Sequence, residues 1–322
     1  MFSRFLDPTN DFAFKKIFGS EKNQDILIQF LNDVLLFTDK RPIISVTFLP
    51  KIQDAETASK KTSIIDVLCK DEKGSSYIVE MQVAKSKGFE KRAQYYASKA
   101  YGSQARKGDQ YQDLKEVIFL VIADYVMFSE KKAYKSDHVI LDKATYEQDL
   151  KDFSFTFIEL PKFTIPLDKL SSLEEKWCYF FKHADETSPQ DLKELIRNNP
   201  ALAKAYEELD KAFWSDLELN SYEEAEKRAK DYISSLEQKF DEGMEKGIEK
   251  GIEKGIEKGK LETKREDILN LIGLRFEVVP QDVEDIIQQI TRETILKMLF
   301  QKAACAASIE EIREFLGRLL KG

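Results

Sequence analysis

The chain has 322 residues, 42% hydrophobic and 11% aromatic, enough to bury a core and to form two domains or one domain with a long extension. No apolar run reaches the roughly 20 residues that cross a bilayer, so a membrane role is not expected, and the opening residues lack the basic start and apolar core of a signal peptide, which leads us to expect a cytoplasmic protein. Cys69, Cys178 and Cys305 are too few and too far apart for a disulfide framework, and with His138 and His183 they form no zinc spacing, so a metal here would be a hard ion held by carboxylates.

In chain order, residues 11–36 read as a helix. Phe14, Ile17, Phe18, Ile26, Phe30, Leu31 and Val34 follow a helical period, and Gly19-Ser20 is a candidate break. Residues 43–49 read as a strand ending at Pro50. Residues 64–70 and 77–83 are β-branched strands joined as a hairpin by Asp71-Glu72-Lys73-Gly74-Ser75. Residues 90–105 read as a helix. Residues 117–123 are apolar without interruption, as in a central strand covered on both faces. Residues 139–141 and 153–160 add strands, giving a mixed sheet flanked by helices. After Pro166 the pattern turns helical, with an apolar stripe at Leu170, Leu173, Trp177, Phe180 and Phe181, a break at Asn199-Pro200, and a further helix over 202–214.

Glycines 243, 247, 251, 255 and 259 then recur in a Gly-Ile-Glu-Lys repeat. Glycine costs up to ~1 kcal/mol per residue in a helix, partly offset here by Glu/Lys pairs at helical spacing. A four-residue period advances about 40° per repeat, so the Ile and Gly stripes wind round the axis. We read a solvated helical linker. A dimerising coiled coil is the other reading, but one Ile per repeat gives it a narrow seam. Apolar positions from Ile268 to Leu319 then recur as in a small helical domain. The expected domains are 1–165, 166–240 as a helical extension, 241–266 as the repeat linker, and 267–322.

Charge is unevenly spread. The net −8 argues alone against a nucleic-acid partner. Yet between residues 84 and 107 seven basic residues face only Glu90, a net +6, whereas residues 142–226 hold 10 basic and 20 acidic residues.

The chemistry gathers on the hairpin. Strand alternation puts Ile64, Asp66 and Leu68 on one face with Ile65, Val67 and Cys69 on the other; in the second strand Ile78, Glu80 and Gln82 share a face. A carboxylate in such an apolar run is costly unless paired, hydrogen-bonded or bound to a cation. Asp66 and Glu80 on adjacent strands suggest one shared Mg²⁺, which takes one or two carboxylates plus waters and phosphates. The plain alternative is an ordinary half-exposed sheet face.

Ile65-Asp66-Val67, the hairpin and Glu80-Met81-Gln82 resemble the metal-binding core of PD-(D/E)xK nucleases, with Glu-x-Gln replacing Glu-x-Lys. More narrowly, the chain resembles the Rpn family of recombination-promoting nucleases and transposases. The resemblance rests on the order of Asp11-Phe12-Ala13-Phe14-Lys15-Lys16-Ile17-Phe18, Ile78-Val79-Glu80-Met81-Gln82, Arg92-Ala93-Gln94-Tyr95-Tyr96, the motif from Gln104 to Tyr111, Glu175-Lys176-Trp177 and the Gly-Ile-Glu-Lys repeat. It implies a restriction-endonuclease-like α/β fold followed by an all-helical C-terminal half, and a metal-dependent DNA endonuclease linked to recombination or mobile elements. Mg²⁺, or Mn²⁺ in its place, is the implied cofactor, and no organic one is expected. Asp66 would be the central metal ligand. Glu80 would be the second ligand and would orient the attacking water. Gln82 would stand where a lysine usually contacts the water or the phosphate, able to hydrogen-bond but bringing no charge.

Asp11 would supply the acidic residue of the first helix, or else simply cap it. Gln104, on the far end of the 90–105 helix, would reach the phosphate or be a surface glutamine. Lys85, Lys87, Lys91 and Arg92 would meet the DNA backbone, or form a solvated loop. A homodimer would offer two active sites for two strands. Two rival readings remain: a catalytically weak DNA-binding or assembly protein that keeps the fold, and a protein-interaction module working through residues 166–322.

Overall fold

The structure is a computed structural model and describes residues 3–36, 42–50, 65–105 and 110–319. Ile64 of the expected hairpin strand, Arg106 and Lys107 of the basic stretch, with Gly108 and Asp109 of the same motif, and Leu320 lie outside the described residues.

The expected first helix divides into α1 (Asp11–Phe18) and α2 (Gln24–Val34) at Gly19-Ser20, where the Gly19 N–H closes α1 on the Lys15 carbonyl at 2.9 Å. Asn10 caps α1: its side-chain oxygen accepts from the Phe12 N–H at 2.9 Å. Asp11 is therefore the first helical residue rather than the cap. Ala13, Phe14, Ile17 and Phe18 form the buried face of α1.

The sheet has six strands in the order β1-β2-β3-β4-β6-β5: β1 (Val46–Phe48), β2 (Val67–Asp71), β3 (Ser76–Gln82), β4 (Val117–Ala123), β5 (Lys135–Val139) and β6 (Phe153–Glu159). The pairs β1/β2, β2/β3 and β5/β6 are antiparallel; β3/β4 and β4/β6 are parallel. α3 (Phe89–Gly102) makes the crossover from β3 to β4. The β2–β3 turn is tied by Asp71, whose Oδ1 accepts from the Lys73 and Ser75 N–H groups at 2.9 Å each, and Gly74 supplies the positive φ of 90°.

Two strands differ from expectation. β1 is shorter than 43–49 because the backbone before it bonds elsewhere: Ile43 exchanges two hydrogen bonds with the Asn32 side chain, and the Ile44 and Ser45 N–H groups donate to Glu72. The edge strand β5 lies at 135–139 rather than 139–141. Ile140 and Leu141 fall beyond its ladder and are exposed.

The sheet is covered on both faces. On one side Val67, Cys69, Val79, Ile118 and Leu120 pack with α1, α2, α4 (Leu173–His183) and α6 (Pro200–Leu209), around the fully buried Phe18, Phe30 and Trp177. On the other, Ile65, Leu68, Ile78, Phe119 and Val121 pack against Ala93, Tyr96, Ala97 and Ala100 of α3, whose small residues let the helix approach closely. α5 (Pro189–Leu195) lies between α4 and α6 in sequence, and α7 (Asp216–Phe276) runs for 61 residues.

The chain divides into two compact units, Met1–Ile233 and Ser234–Gly322. The second holds the rest of α7 with α8 (Gln281–Gln289), α9 (Glu293–Cys305) and α10 (Ile309–Leu319) around Ile268, Ile272, Ile287, Leu299 and Ile312. The Gly-Ile-Glu-Lys repeat is helical, and its Ile248, Ile252 and Ile256 are exposed. Among the described residues no helix is long and apolar enough to cross a membrane.

Candidate functional site

Asp66 precedes β2 at a bend, not within the strand. The bend changes the facing expected from alternation. Ile65 packs on the α3 side with Leu68, while Val67 and Cys69 pack on the opposite side. The bend also explains the local bonding. Val67 pairs with Val79, so continuing the register by one sets position 66 across from Glu80. The Met81 N–H, which the ladder would have paired with the residue before the bend, instead donates to Asp66 Oδ2 at 2.9 Å. A side-chain oxygen thus replaces a backbone partner, and Asp66 is held with 8% of its surface exposed.

Glu80, on β3, is 2% exposed. Its Oε2 accepts from Gln82 Nε2 at 3.0 Å, while its Oε1 is buried and has no hydrogen-bond partner among the described residues. Such an orphaned carboxylate oxygen is costly in a folded protein. Burial pushes the Glu80 carboxyl well above the usual range, the neighbouring Asp66 adds to that, and Arg92 opposes it. Burial also raises Asp66, against the Lys15 ammonium and the Met81 N–H.

Gln82 bridges outward. Its Oε1 accepts from Arg92 Nη2 at 2.9 Å, and the Arg92 guanidinium lies 4.7 Å from the Phe89 ring centre. Arg92 was expected with the lysines on the DNA-facing surface; here it turns into the site. α3 can begin beside β3 because Gly88 takes a φ of 77° just before it.

From the opposite side, α1 delivers Lys15. Its Nζ stands 3.2 Å from Asp66 Oδ1 and also pairs with Asp11, four residues earlier. Burial works against the Lys15 charge, but Asp66 and Asp11 outweigh it and hold its pKa above the ordinary lysine value. The adjacent Lys16 faces elsewhere, 2.8 Å from Glu218 and over the Trp214 ring.

These residues line a cavity of about 680 Å³ whose walls include Asp11, Lys15, Asp66, Glu80, Gln82 and Arg92, together with Arg228 and Tyr232 of α7. Sequence reasoning missed three of its features. Lys15 was legible only as a motif lysine, although its i,i+4 spacing from Asp11 set both on one helix face. Nothing in the sequence pointed to Arg228 or Tyr232.

Gln104 stands apart from this cavity. Its amide makes two bonds to the Lys115 main chain, at 3.0 and 2.9 Å, and so ties the end of α3 to the approach to β4. Lys85 and Lys87 are exposed on the segment linking β3 to α3, and Lys91 is exposed in the first turn of α3; Lys85 Nζ lies 3.5 Å from the Val126 carbonyl.

The residues present suit a hard divalent cation. Asp66 and Glu80 supply two oxygens' worth of charge at one place, and Glu80 Oε1 is buried without a partner. No cluster of three or more His, Cys, Asp or Glu side chains forms a ready cage among the described residues. Two carboxylates, with water and substrate phosphate completing the shell, is a usual arrangement for Mg²⁺.

The sequence model of a family described as PD-(D/E)XK nuclease family transposase matches residues 8–239, a span that contains α1, the hairpin, α3, the whole sheet and the start of α7. No curated protein and no solved structure matches the chain.

Proposed function

Because the chain belongs to the PD-(D/E)XK nuclease family transposases, we propose that the Asp66–Glu80 cavity hydrolyses phosphodiester bonds within DNA with a divalent cation, Mg²⁺ or Mn²⁺. The observation that carries this reading is the Glu80 carboxylate: buried, across from Asp66, and with one oxygen left without a protein partner. A structural sheet would have no reason to keep two such groups together, since each raises the cost of charging the other.

Asp66 and Glu80 hold the cation, which supplies Lewis-acid polarisation of the phosphate and lowers the pKa of water at the site. Asp66 is fixed for this by the Met81 N–H. Glu80 is fixed through Oε2 by Gln82, which leaves Oε1 without a protein partner among the described residues and so free to take the cation. Gln82 is itself set by Arg92, so the charge of Arg92 reaches Glu80 through one amide. In the reaction the water oxygen bonds to phosphorus while the bond to the leaving sugar oxygen breaks. The water loses one proton to solvent and the leaving alkoxide gains one, giving a phosphate monoester and a hydroxyl. Lys85 and Lys87 on the segment after β3 and Lys91 in the first turn of α3 are exposed and bind the backbone without reading sequence.

The test is supercoiled plasmid incubated with Mg²⁺ or with EDTA, beside Asp66→Ala and Glu80→Ala. Mg²⁺-dependent nicking lost in both variants supports the reading. Wild-type protein that folds and binds the plasmid but never cuts it would favour a DNA-binding protein that keeps the fold. Cutting that survives both substitutions would place the chemistry elsewhere.

A further inference from the structure

We propose that Lys15 is the catalytic cation of this site, supplied by α1 to do what Gln82, on β3, has no charge to do. The assignment rests on the hydrolytic reading above. A developing phosphoryl negative charge calls for a fixed positive group or donor within hydrogen-bond reach.

Gln82 is poorly placed to serve. Its amide nitrogen already donates to Glu80 and its oxygen is held by Arg92. Arg92 contacts Gln82, one amide removed from the carboxylates, and rests against Phe89. Lys15 reaches the centre itself, 3.2 Å from Asp66 Oδ1, and among the described residues no other lysine or arginine is within ion-pair distance of Asp66 or Glu80. Its side chain is 31% exposed and lines the cavity, so one side meets the carboxylates and another meets the space a phosphate would enter. Lys16 shows that this placement is specific to one of two adjacent lysines, since Lys16 is spent on Glu218 and Trp214.

The geometry has a further consequence. In the free protein Lys15 neutralises the same Asp66 oxygen that a divalent cation would take. The two compete for Asp66, and an arriving cation frees the ammonium, with its three donors and flexible stem, to turn to the phosphate. Loss of Lys15 should therefore slow cutting and tighten metal binding, two effects of opposite sense. A lysine that only paired with Asp66 would on its loss tighten metal binding without slowing the cutting, so the two effects together mark the catalytic role.

The experiment compares wild type, Lys15→Gln, Lys15→Arg and Lys15→Gln/Gln82→Lys. Mn²⁺ affinity is measured by calorimetry without DNA, and cutting by single-turnover plasmid nicking. Lys15→Gln is expected to cut about 100-fold more slowly and to bind Mn²⁺ several-fold more tightly. Lys15→Arg keeps the charge and should retain most of the cutting, and Gln82→Lys in the Lys15→Gln background should restore at least about tenfold of the lost rate. The assignment is overturned if Lys15→Gln cuts within about threefold of wild type, or if its Mn²⁺ affinity is unchanged or weaker. Wild-type protein that cuts nothing would instead bring down the hydrolytic reading, and this assignment with it.

Discussion

Replacing Glu80 by glutamine should make the metal-free protein more stable while removing its response to Mg²⁺. The side chain keeps its size and the position of the oxygen that accepts from Gln82, but loses a charge that is 2% exposed and faces Asp66. Relief of one such functional-site conflict is typically worth roughly 0.5–2 kcal/mol. In a unit of the size of Met1–Ile233 that amounts to a rise in Tm of about 1–4 °C. The effect has a definite pH sense. The folded-state pKa of Glu80 is raised, so its contribution to stability is full below the ordinary glutamate value of 4.5 and is lost as pH climbs through the raised value. Wild type and Glu80→Gln should thus melt together at about pH 4 and separate as the pH is raised to about 8. Magnesium reverses the order. At a concentration about 100-fold above Kd, binding adds ~2.7 kcal/mol to wild type, more than the variant's advantage, and little to the variant. Differential scanning fluorimetry in EDTA and in Mg²⁺, at both pH values, measures all of this. A variant less stable than wild type in EDTA at the higher pH, or one equally stabilised by Mg²⁺, would refute the reasoning.

Changing Lys85, Lys87 and Lys91 together to alanine should weaken DNA binding alike for all sequences and flatten the plot of log affinity against log salt by roughly two to three units, as counted by fluorescence anisotropy across a salt series. Gln104→Ala should leave nicking intact but cost about 1 kcal/mol per lost bond to the Lys115 main chain, read as a lower urea midpoint. Trp177→Ala should cost about 3–5 kcal/mol by the same measurement, because it empties a fully buried site and strips Asp33 of the indole N–H that donates to it at 2.8 Å. Mg²⁺ affinity should climb with pH through the raised Asp66 and Glu80 values, since both must be ionised to bind; a flat calorimetric profile over that window would contradict the site.

The sheet was legible where one physical signal dominated. The unbroken apolar run at 117–123 announced a strand covered on both faces, and β4 is that strand. The helix expected over residues 90–105 is α3, and its Ala93, Ala97 and Ala100 pack against the sheet. Legibility failed where side chains took over backbone bonding. Asn32 and Glu72 shorten β1, and Asp66 takes the Met81 N–H, so the alternation expected through Ile65 and Asp66 does not hold. Such substitutions of side chain for ladder leave no periodic trace. Within the candidate site, Asp66 and Glu80 stood out as carboxylates in apolar strands, and Gln82 by sharing the Glu80 face. Lys15 could not, because a lysine late in a helix has an ordinary explanation in the helix dipole. Arg92 was found but assigned to the surface, since its bond to Gln82 depends on how closely α3 returns over β3.

The most direct measurement is the position of the metal. Crystals of the protein with a short DNA duplex, soaked in Mn²⁺, would be collected at a wavelength where manganese scatters anomalously. The account requires a peak between the Asp66 and Glu80 carboxylates, with Glu80 Oε1 among its ligands and Lys15 displaced from Asp66. A peak elsewhere, or a Mn²⁺-free site with Lys15 still paired to Asp66 in the presence of DNA, would contradict it.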